Sequence, residues 1–222
     1  MNIGDSMYET SIAFLKEIDT LGYVGYIIGG YPRDKYLGIK SEDIDICTNM
    51  TPAQLKNHFN VVESFDKYGS VRICYNNFIL EVTTFRKDGI YIDHRRPEKV
   101  EFVDTLEEDL RRRDFIINTL CIDKDGNYVD LLNARDDIDN KIIRVVGNLE
   151  KKLSEDPLRM IRALRFSIML DFTLDKDLEK YIKTHTKDLI TISTFRKKLE
   201  VEKVKDKDKK KQLERTIENL TK

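Results

Sequence analysis

The sequence predicts an α+β fold that gives way to helices alone, and three observations carry that reading. Short apolar runs separated by turn residues fill residues 23–131. A helical repeat precedes them, with Met7, Ile12, Phe14, Leu15, Ile18 and Leu21 spaced over 7–21. After Leu132 the periodicity is helical throughout, at 154–170, 175–187, 193–205 and 208–220, apart from a short strand at 142–146. The division falls near 135–147 and is placed between a head, 1–140, and a helical extension, 141–222.

Taken in order, residues 23–28 read as a strand and 32–37 as a short helix with Pro32 in its first turn. Residues 43–47 form a second strand. Thr51 caps a helix over 52–59, again with proline in the first turn. Strands 70–75 and 78–85 meet at Asn76-Asn77, a two-residue hairpin suited to asparagine because asparagine tolerates positive φ. Residues 87–99 read as an exposed loop, and Thr105 caps a helix over 106–114. Residues 116–122 and 128–131 form another hairpin around Asp125-Gly126-Asn127.

Composition sets limits. The 222 residues are 36% charged and 40% hydrophobic, which suits a soluble globular protein. No apolar run approaches the roughly 18 residues of a membrane span. The N-terminus lacks a basic-then-apolar signal, so the sequence reads as cytoplasmic and free of membrane. Cys47, Cys74 and Cys121 lie apart in apolar runs without zinc spacing and read as core thiols. Net charge is −1, but residues 196–222 hold eleven Lys/Arg against six Asp/Glu, a local +5. That end suits either a phosphate backbone or a solvated helix laced with ion pairs. Nothing in the sequence marks an oligomeric state.

The densest chemistry lies early. Gly29-Gly30-Tyr31-Pro32-Arg33-Asp34 follows the strand Tyr26-Ile27-Ile28, and Asp43-Ile44-Asp45 follows nine residues later. Alternation along a strand points Asp43 and Asp45 one way and Ile44 and Ile46 the other. Two carboxylates on one face suit a divalent cation, usually Mg²⁺ held together with substrate phosphates. Glycines just before them let backbone N–H groups approach a phosphate. This is the layout of phosphoryl transfer.

Two arginine clusters follow. Arg111-Arg112-Arg113-Asp114 cannot share one helix face, so at least one guanidinium turns to a neighbour, a triphosphate or Glu107, Glu108 or Asp109 one turn back. Ser154-Glu155-Asp156-Pro157-Leu158-Arg159 reads as a helix start capped by Ser154. Arg159, Arg162 and Arg165 then fan across one sector, with Asp156 one turn earlier, while Leu158, Ile161, Leu164 and Ile168 form a core face. Such an edge is either a surface Asp–Arg pair or a presentation of Asp and Arg to a nucleobase.

Gly-Gly-x-x-Arg-Asp, Asp-x-Asp, Asp-x-Arg-Arg-Pro, Arg-Arg-Asp-Phe-x-x-Asn and Glu-Asp-x-x-Arg-x-x-Arg-Ala occur here in one order, from about residue 22 to 170. That series resembles class II CCA-adding enzymes, tRNA nucleotidyltransferases related to bacterial poly(A) polymerases. The resemblance implies a DNA polymerase β-like nucleotidyltransferase head, a mixed sheet with flanking helices, followed by a helical neck and partial body. It implies addition of CMP and AMP to tRNA 3′ ends from CTP and ATP, with pyrophosphate released. Asp43 and Asp45 match the metal-binding catalytic carboxylates, with two Mg²⁺ implied, and Glu81 is either a supporting carboxylate or a plain strand residue. Gly29, Gly30 and Arg33 match the first nucleotide-contacting block, and Arg113, Asp114 and Asn118 the second. Asp156 and Arg159 match the pair that selects CTP and ATP by amino-acid templating, with Arg162 and Arg165 as further arginines at the nucleotide.

Asp93, Arg95 and Arg96 match a flexible loop needed for the final A, although family members usually carry glycine where this chain has His94. Such enzymes also continue through body and tail domains that hold the tRNA, so the chain reads as a short form. Two other readings share the nucleotide pocket: a poly(A)-polymerase-like or toxin-type transferase acting on another RNA, and a non-catalytic RNA- or nucleotide-binding module.

Overall fold

The computed structural model describes residues 3–89 and 98–221. Its described elements run α1 (Ile3–Thr20), β1 (Gly25–Ile28), α2 (Gly30–Tyr36), β2 (Asp45–Thr48), α3 (Pro52–His58), β3 (Val61–Phe65), β4 (Ser70–Tyr75), β5 (Phe78–Thr84), β6 (Arg86–Asp88), β7 (Val100–Phe102), α4 (Leu106–Arg111), β8 (Cys121–Ile122), β9 (Tyr128–Val129), α5 (Ala134–Asp139), β10 (Ile142–Ile143), α6 (Leu149–Glu155), α7 (Leu158–Leu170), β11 (Thr173–Leu174), α8 (Lys176–Thr184), α9 (Thr186–Thr191), α10 (Thr194–Glu202) and α11 (Lys207–Thr221). They divide into two compact units: described residues up to 89 with 98–113 and 117–135, and residues 114–116 with 136–221. No described helix is long and apolar enough to cross a membrane.

The first unit is a seven-stranded sheet in the order β3-β4-β5-β2-β1-β8-β9. β2 and β5 run parallel, while the other neighbours are antiparallel. Phe14, Leu15 and Ile18 of α1 are buried with Ile27, Ile44, Ile46, Ile73, Leu80 and Val82 on one face. The other face carries a second cluster in which Cys47 and Cys121 pack with Phe85, Leu106 and Leu110. Period-two alternation decides which residue of β2 meets which cluster. Ile44 and Ile46 go to the α1 core and leave Asp43 and Asp45 on the opposite face, both exposed.

Local sequence explains the connections. Thr51 and Gln54 form a reciprocal capping box at the start of α3. Asn76 and Asn77 take φ of 47° and 66°, positive at both central positions of the β4–β5 hairpin. β3 escapes sequence reading because a register shift between Val61 and Glu63 breaks its alternation. The expected loop over 87–99 is bracketed by a short ribbon, Arg86–Asp88 paired with Val100–Phe102. The flexible-loop residues Asp93, Arg95 and Arg96 lie outside the described residues.

Two expected boundaries are corrected. The helix over 106–114 ends at Arg111. The strand over 116–122 is only Cys121–Ile122, because 116–118 is a 3₁₀ turn whose Ile116 N–H donates to the Arg144 carbonyl at 2.9 Å.

The second unit is helical around one parallel pair, Ile142↔Thr173 and Ile143↔Leu174. Its centre is α7, which packs against α10 and α11. Met160, Ile161 and Ala163 of α7, Val201 of α10 and Leu213 and Ile217 of α11 are buried. The expected single helix over 154–170 is two helices, α6 and α7, broken at Asp156-Pro157. Proline excludes the preceding residue from helical dihedrals, and Asp156 is extended at φ −147°, ψ 99°. Ser154 therefore lies in the last turn of α6, donating to the Lys151 carbonyl at 3.0 Å. Asp156 is the residue that accepts the Leu158 N–H, at 3.1 Å.

The basic C-terminal stretch forms cross-helix ion pairs, Lys209–Asp171 and Lys210–Glu202, both at 2.6 Å.

Candidate active site

In the first unit the carboxylates sit where β2 begins. The expected strand over 43–47 is Asp45–Thr48, so Asp43 lies in the irregular segment just before it and Asp45 is its first residue. Neither side chain hydrogen-bonds or ion-pairs to any described residue. Asp45 pairs in register with Glu81 on the parallel strand β5, so three carboxylates share one face. Glu81 also forms an exposed 3.5 Å ion pair with Arg72. Asp45 keeps solvent access, yet surrounding protein strips enough hydration to push its carboxyl up to about 6. The charges of Asp43 and Glu81 add to the rise, and the Arg113 guanidinium opposes it.

Such a face is short of positive charge. Among the described residues no three His, Cys, Asp or Glu side chains converge as a complete metal cage. Two open carboxylates without partners among the described residues fit a hard divalent cation whose other ligands are water and substrate phosphate oxygens.

The glycine pair stands against these carboxylates. Gly29 takes φ 86° and ψ −133°, a conformation that side chains resist. A Cβ there would lie 3.0 Å from Asp45 Oδ2. The next residue, Gly30, begins α2. Arg33 is 4% exposed and is used inside the protein. It donates to Asp34 at 2.6 and 2.9 Å and to Asn118 at 2.5 Å. Arg33 and Asn118 thus join two of the sequence blocks as a buried strut.

All three arginines at the end of α4 and just beyond it reach an acid one turn back. Arg111 meets Glu107 at 2.6 Å, Arg112 meets Asp109 at 2.8 Å and Arg113 meets Asp109 at 3.1 Å. Arg113 Nε is buried and makes no hydrogen bond among the described residues.

Asp109 is fully buried, and that burial pushes its carboxyl up. Arg112, Arg113 and the Arg86 N–H outweigh burial and hold it below the usual carboxylate range. A depressed folded pKa gives stability that is complete above the unfolded value, near 4, and is lost as pH falls through the folded value. Acid unfolding below about pH 4 is therefore expected to weaken in Asp109→Asn, read as a shallower loss of melting temperature with falling pH.

In the second unit Asp156 is gripped by Arg196 through both oxygens, at 3.0 and 3.1 Å. Burial raises the Asp156 carboxyl despite Arg196 and Arg159. Arg159 bonds the Lys152 carbonyl at 2.5 Å and Glu155 at 3.1 Å. Arg162 binds Asp114 through Nε and Nη2, at 2.7 and 2.6 Å. Arg165 reaches the buried Glu200 at 3.2 Å and lies over the Phe166 ring. The predicted sector is thus a network of acids and arginines.

In the sequence Arg196 and Glu200 are only members of a basic run. Their only signal is an i,i+4 spacing after a Ser193 cap. Asp109 was visible only as an acid three and four residues before two arginines.

A profile of the Poly A polymerase head domain matches residues 25–144. The chain is 41% identical over 173 residues to a CCA-adding enzyme of Streptococcus sanguinis, covering 78% of this chain and 43% of that protein. It is 40% identical over 191 residues to a CCA-adding enzyme of Lactobacillus johnsonii, covering 86% and 48%. The structure is similar to the Bacillus stearothermophilus CCA-adding enzyme in complex with CTP, with TM-score 0.81, 36% identity and 89% and 48% coverage. It is also similar to a tRNA nucleotidyltransferase complexed with a primer tRNA and an incoming ATP analog, with TM-score 0.74, 28% identity and 92% and 59% coverage. The chain spans about half the length of the curated relatives it matches. The open Asp43–Asp45 face, the glycine pair against it and a head-domain match over more than half the chain place this protein in the poly(A) polymerase head-domain family of nucleotidyltransferases, alongside CCA-adding enzymes.

Proposed function

We propose that the protein is a cytoplasmic Mg²⁺-dependent tRNA nucleotidyltransferase that adds CMP and AMP to complete a 3′-terminal CCA, releasing pyrophosphate. The observation that carries this reading is the Asp43–Asp45 pair, two exposed carboxylates with no partner among the described residues, beside a glycine pair and a half-buried arginine whose Nε makes no hydrogen bond among the described residues. Residues 1–140 act as the catalytic head and 141–222 as the helical neck and partial body.

The nucleophile in this reading is the RNA 3′-hydroxyl. Asp43 and Asp45 would hold Mg²⁺, with Glu81 a supporting charge beside them. When bound, the ion supplies positive charge that lowers the pKa of the attacking hydroxyl and steadies the leaving pyrophosphate. Backbone N–H groups around Gly29 and Gly30 approach the phosphates, with the first turn of α2 behind them. Arg113, whose side chain keeps 16% exposure, offers its guanidinium to a phosphate oxygen. Arg33 and Asn118, with Asp34, keep the glycine turn and the second block in register. Asp114 orients Arg162, and Glu200 orients Arg165.

Base choice belongs to Asp156 and Arg159 by amino-acid templating, with Arg196 holding the Asp156 carboxylate. Asp156→Ala is expected to blur the choice between CTP and ATP more than it slows transfer. The check is incorporation of each of the four labelled NTPs into tRNA ending in C. Equal use of all four by the wild type would sink templating.

The primary experiment supplies Mg²⁺, labelled CTP or ATP, and tRNAs lacking CCA, ending in C and ending in CC. Growth that stops at CCA on all three supports the reading. Long A-tracts, or labelling of other RNAs only, point to a poly(A)-like or toxin-type transferase. No transfer to any RNA points to a binding module.

A further inference from the structure

We propose that Asp109 is a positioning residue whose buried carboxylate fixes the Arg113 guanidinium by one nitrogen and so keeps another donor available to a nucleotide phosphate. This inference rests on the reading of Arg113 as a nucleotide contact.

α4 ends at Arg111, so helix geometry does not set the Arg113 side chain. What holds it is one 3.1 Å bond from Nη2 to Asp109 Oδ2, its one ion pair among the described residues. Asp109 Oδ1 is taken by Arg112 Nε at 2.8 Å and by the Arg86 N–H at 3.2 Å. The carboxylate is thereby anchored to the start of β6 and cannot swing to embrace Arg113 through both oxygens. Cys47 and Cys121, the fully buried thiols near Arg113, are weak partners for a cation.

The outcome is a cation that is held but not fully used. Its side chain keeps 16% exposure, its Nε makes no hydrogen bond among the described residues, and its charge is felt at Asp45. Two arginines on one carboxylate leave an excess positive charge, which suits an anionic ligand. A bidentate Asp109–Arg113 pair would commit a second nitrogen to the protein, and no pair at all would leave a half-buried guanidinium with nothing to fix it.

The test is CTP affinity of the full chain by calorimetry with Mg²⁺ and without RNA, run beside the transfer rate at saturating CTP. Asp109→Asn and Arg113→Ala are each expected to weaken CTP binding at least about tenfold, the scale of one charge-assisted hydrogen bond. The saturated rate should fall by much less than the affinity, a split that a partly unfolded protein does not produce. In the Asp109→Asn/Arg113→Ala double variant, affinity should match that of Arg113→Ala within about twofold, since both changes remove one route.

Asp109→Glu keeps the charge but moves the carboxylate by a methylene. It is expected to weaken CTP binding too, and it decides the matter if Asp109→Asn does not fold. Wild-type affinity in both Asp109 variants, with Arg113→Ala impaired, overturns the proposal while sparing the nucleotide role of Arg113. Additive losses in the double variant also overturn it. Wild-type affinity in Arg113→Ala removes the underlying reading of Arg113, and the proposal with it.

Discussion

Asp45→Asn or Asp43→Ala is expected to lower CMP transfer at least about a thousandfold, roughly 4 kcal/mol of barrier, while leaving the protein folded. The size follows from what these carboxylates would do, since each removes a ligand from a site that balances charge at both the attacking and the leaving oxygen. The preserved fold follows from what they do not do. Neither side chain bonds to a described residue, and both are exposed and belong to neither buried cluster of the first unit. Asp45→Asn also removes a like-charge repulsion, since Asp43 and Glu81 both push the Asp45 carboxyl upward. Its melting temperature is therefore expected within about 3 °C of wild type, on the upper side. Single-turnover labelling of a tRNA lacking CCA, paired with thermal melts, checks both halves. Transfer within about tenfold of wild type would remove the carboxylates from the chemistry.

Gly29→Ala is expected to cost about 1–3 kcal/mol of stability and to slow transfer by about a hundredfold. Two independent effects act at this one position. A side chain resists φ 86° and ψ −133°, and a Cβ would stand 3.0 Å from Asp45 Oδ2, tighter than ordinary contact. Relief comes from moving either the turn or the carboxylate, and both belong to the proposed phosphate and cation site. Gly22→Ala serves as the comparison, because it also has positive φ, 83°, but nothing lies within 4 Å of its Cβ position. It should lose stability and keep its transfer rate. Equal rate losses in both variants would mean that backbone strain, and not crowding of Asp45, is responsible.

Much of the first unit was legible in the chain because its signals are local. The Asn76-Asn77 turn, the Thr51 cap and the alternation that separates Asp43 and Asp45 from Ile44 and Ile46 all depend on residues a few positions apart. The helix break at Pro157 is also local, yet the sequence pattern there suggests a helix start with Ser154 as its cap. Proline's constraint falls on the residue before it, which made Asp156 the capping side chain.

What the tertiary structure decided was the partner of each charged group. A sequence shows that Arg33, Arg113, Asp156 and Arg162 exist, and a family pattern suggests what they touch. Only the fold determines that Arg33 is spent on Asp34 and Asn118, that Asp156 is gripped by Arg196 forty residues on, and that Asp109 is wholly buried between two arginines. Backbone patterning repeats over a turn or a pleat and so is written locally. Ion pairing depends on which distant surfaces meet and on how much water they exclude, and no short stretch of sequence contains that.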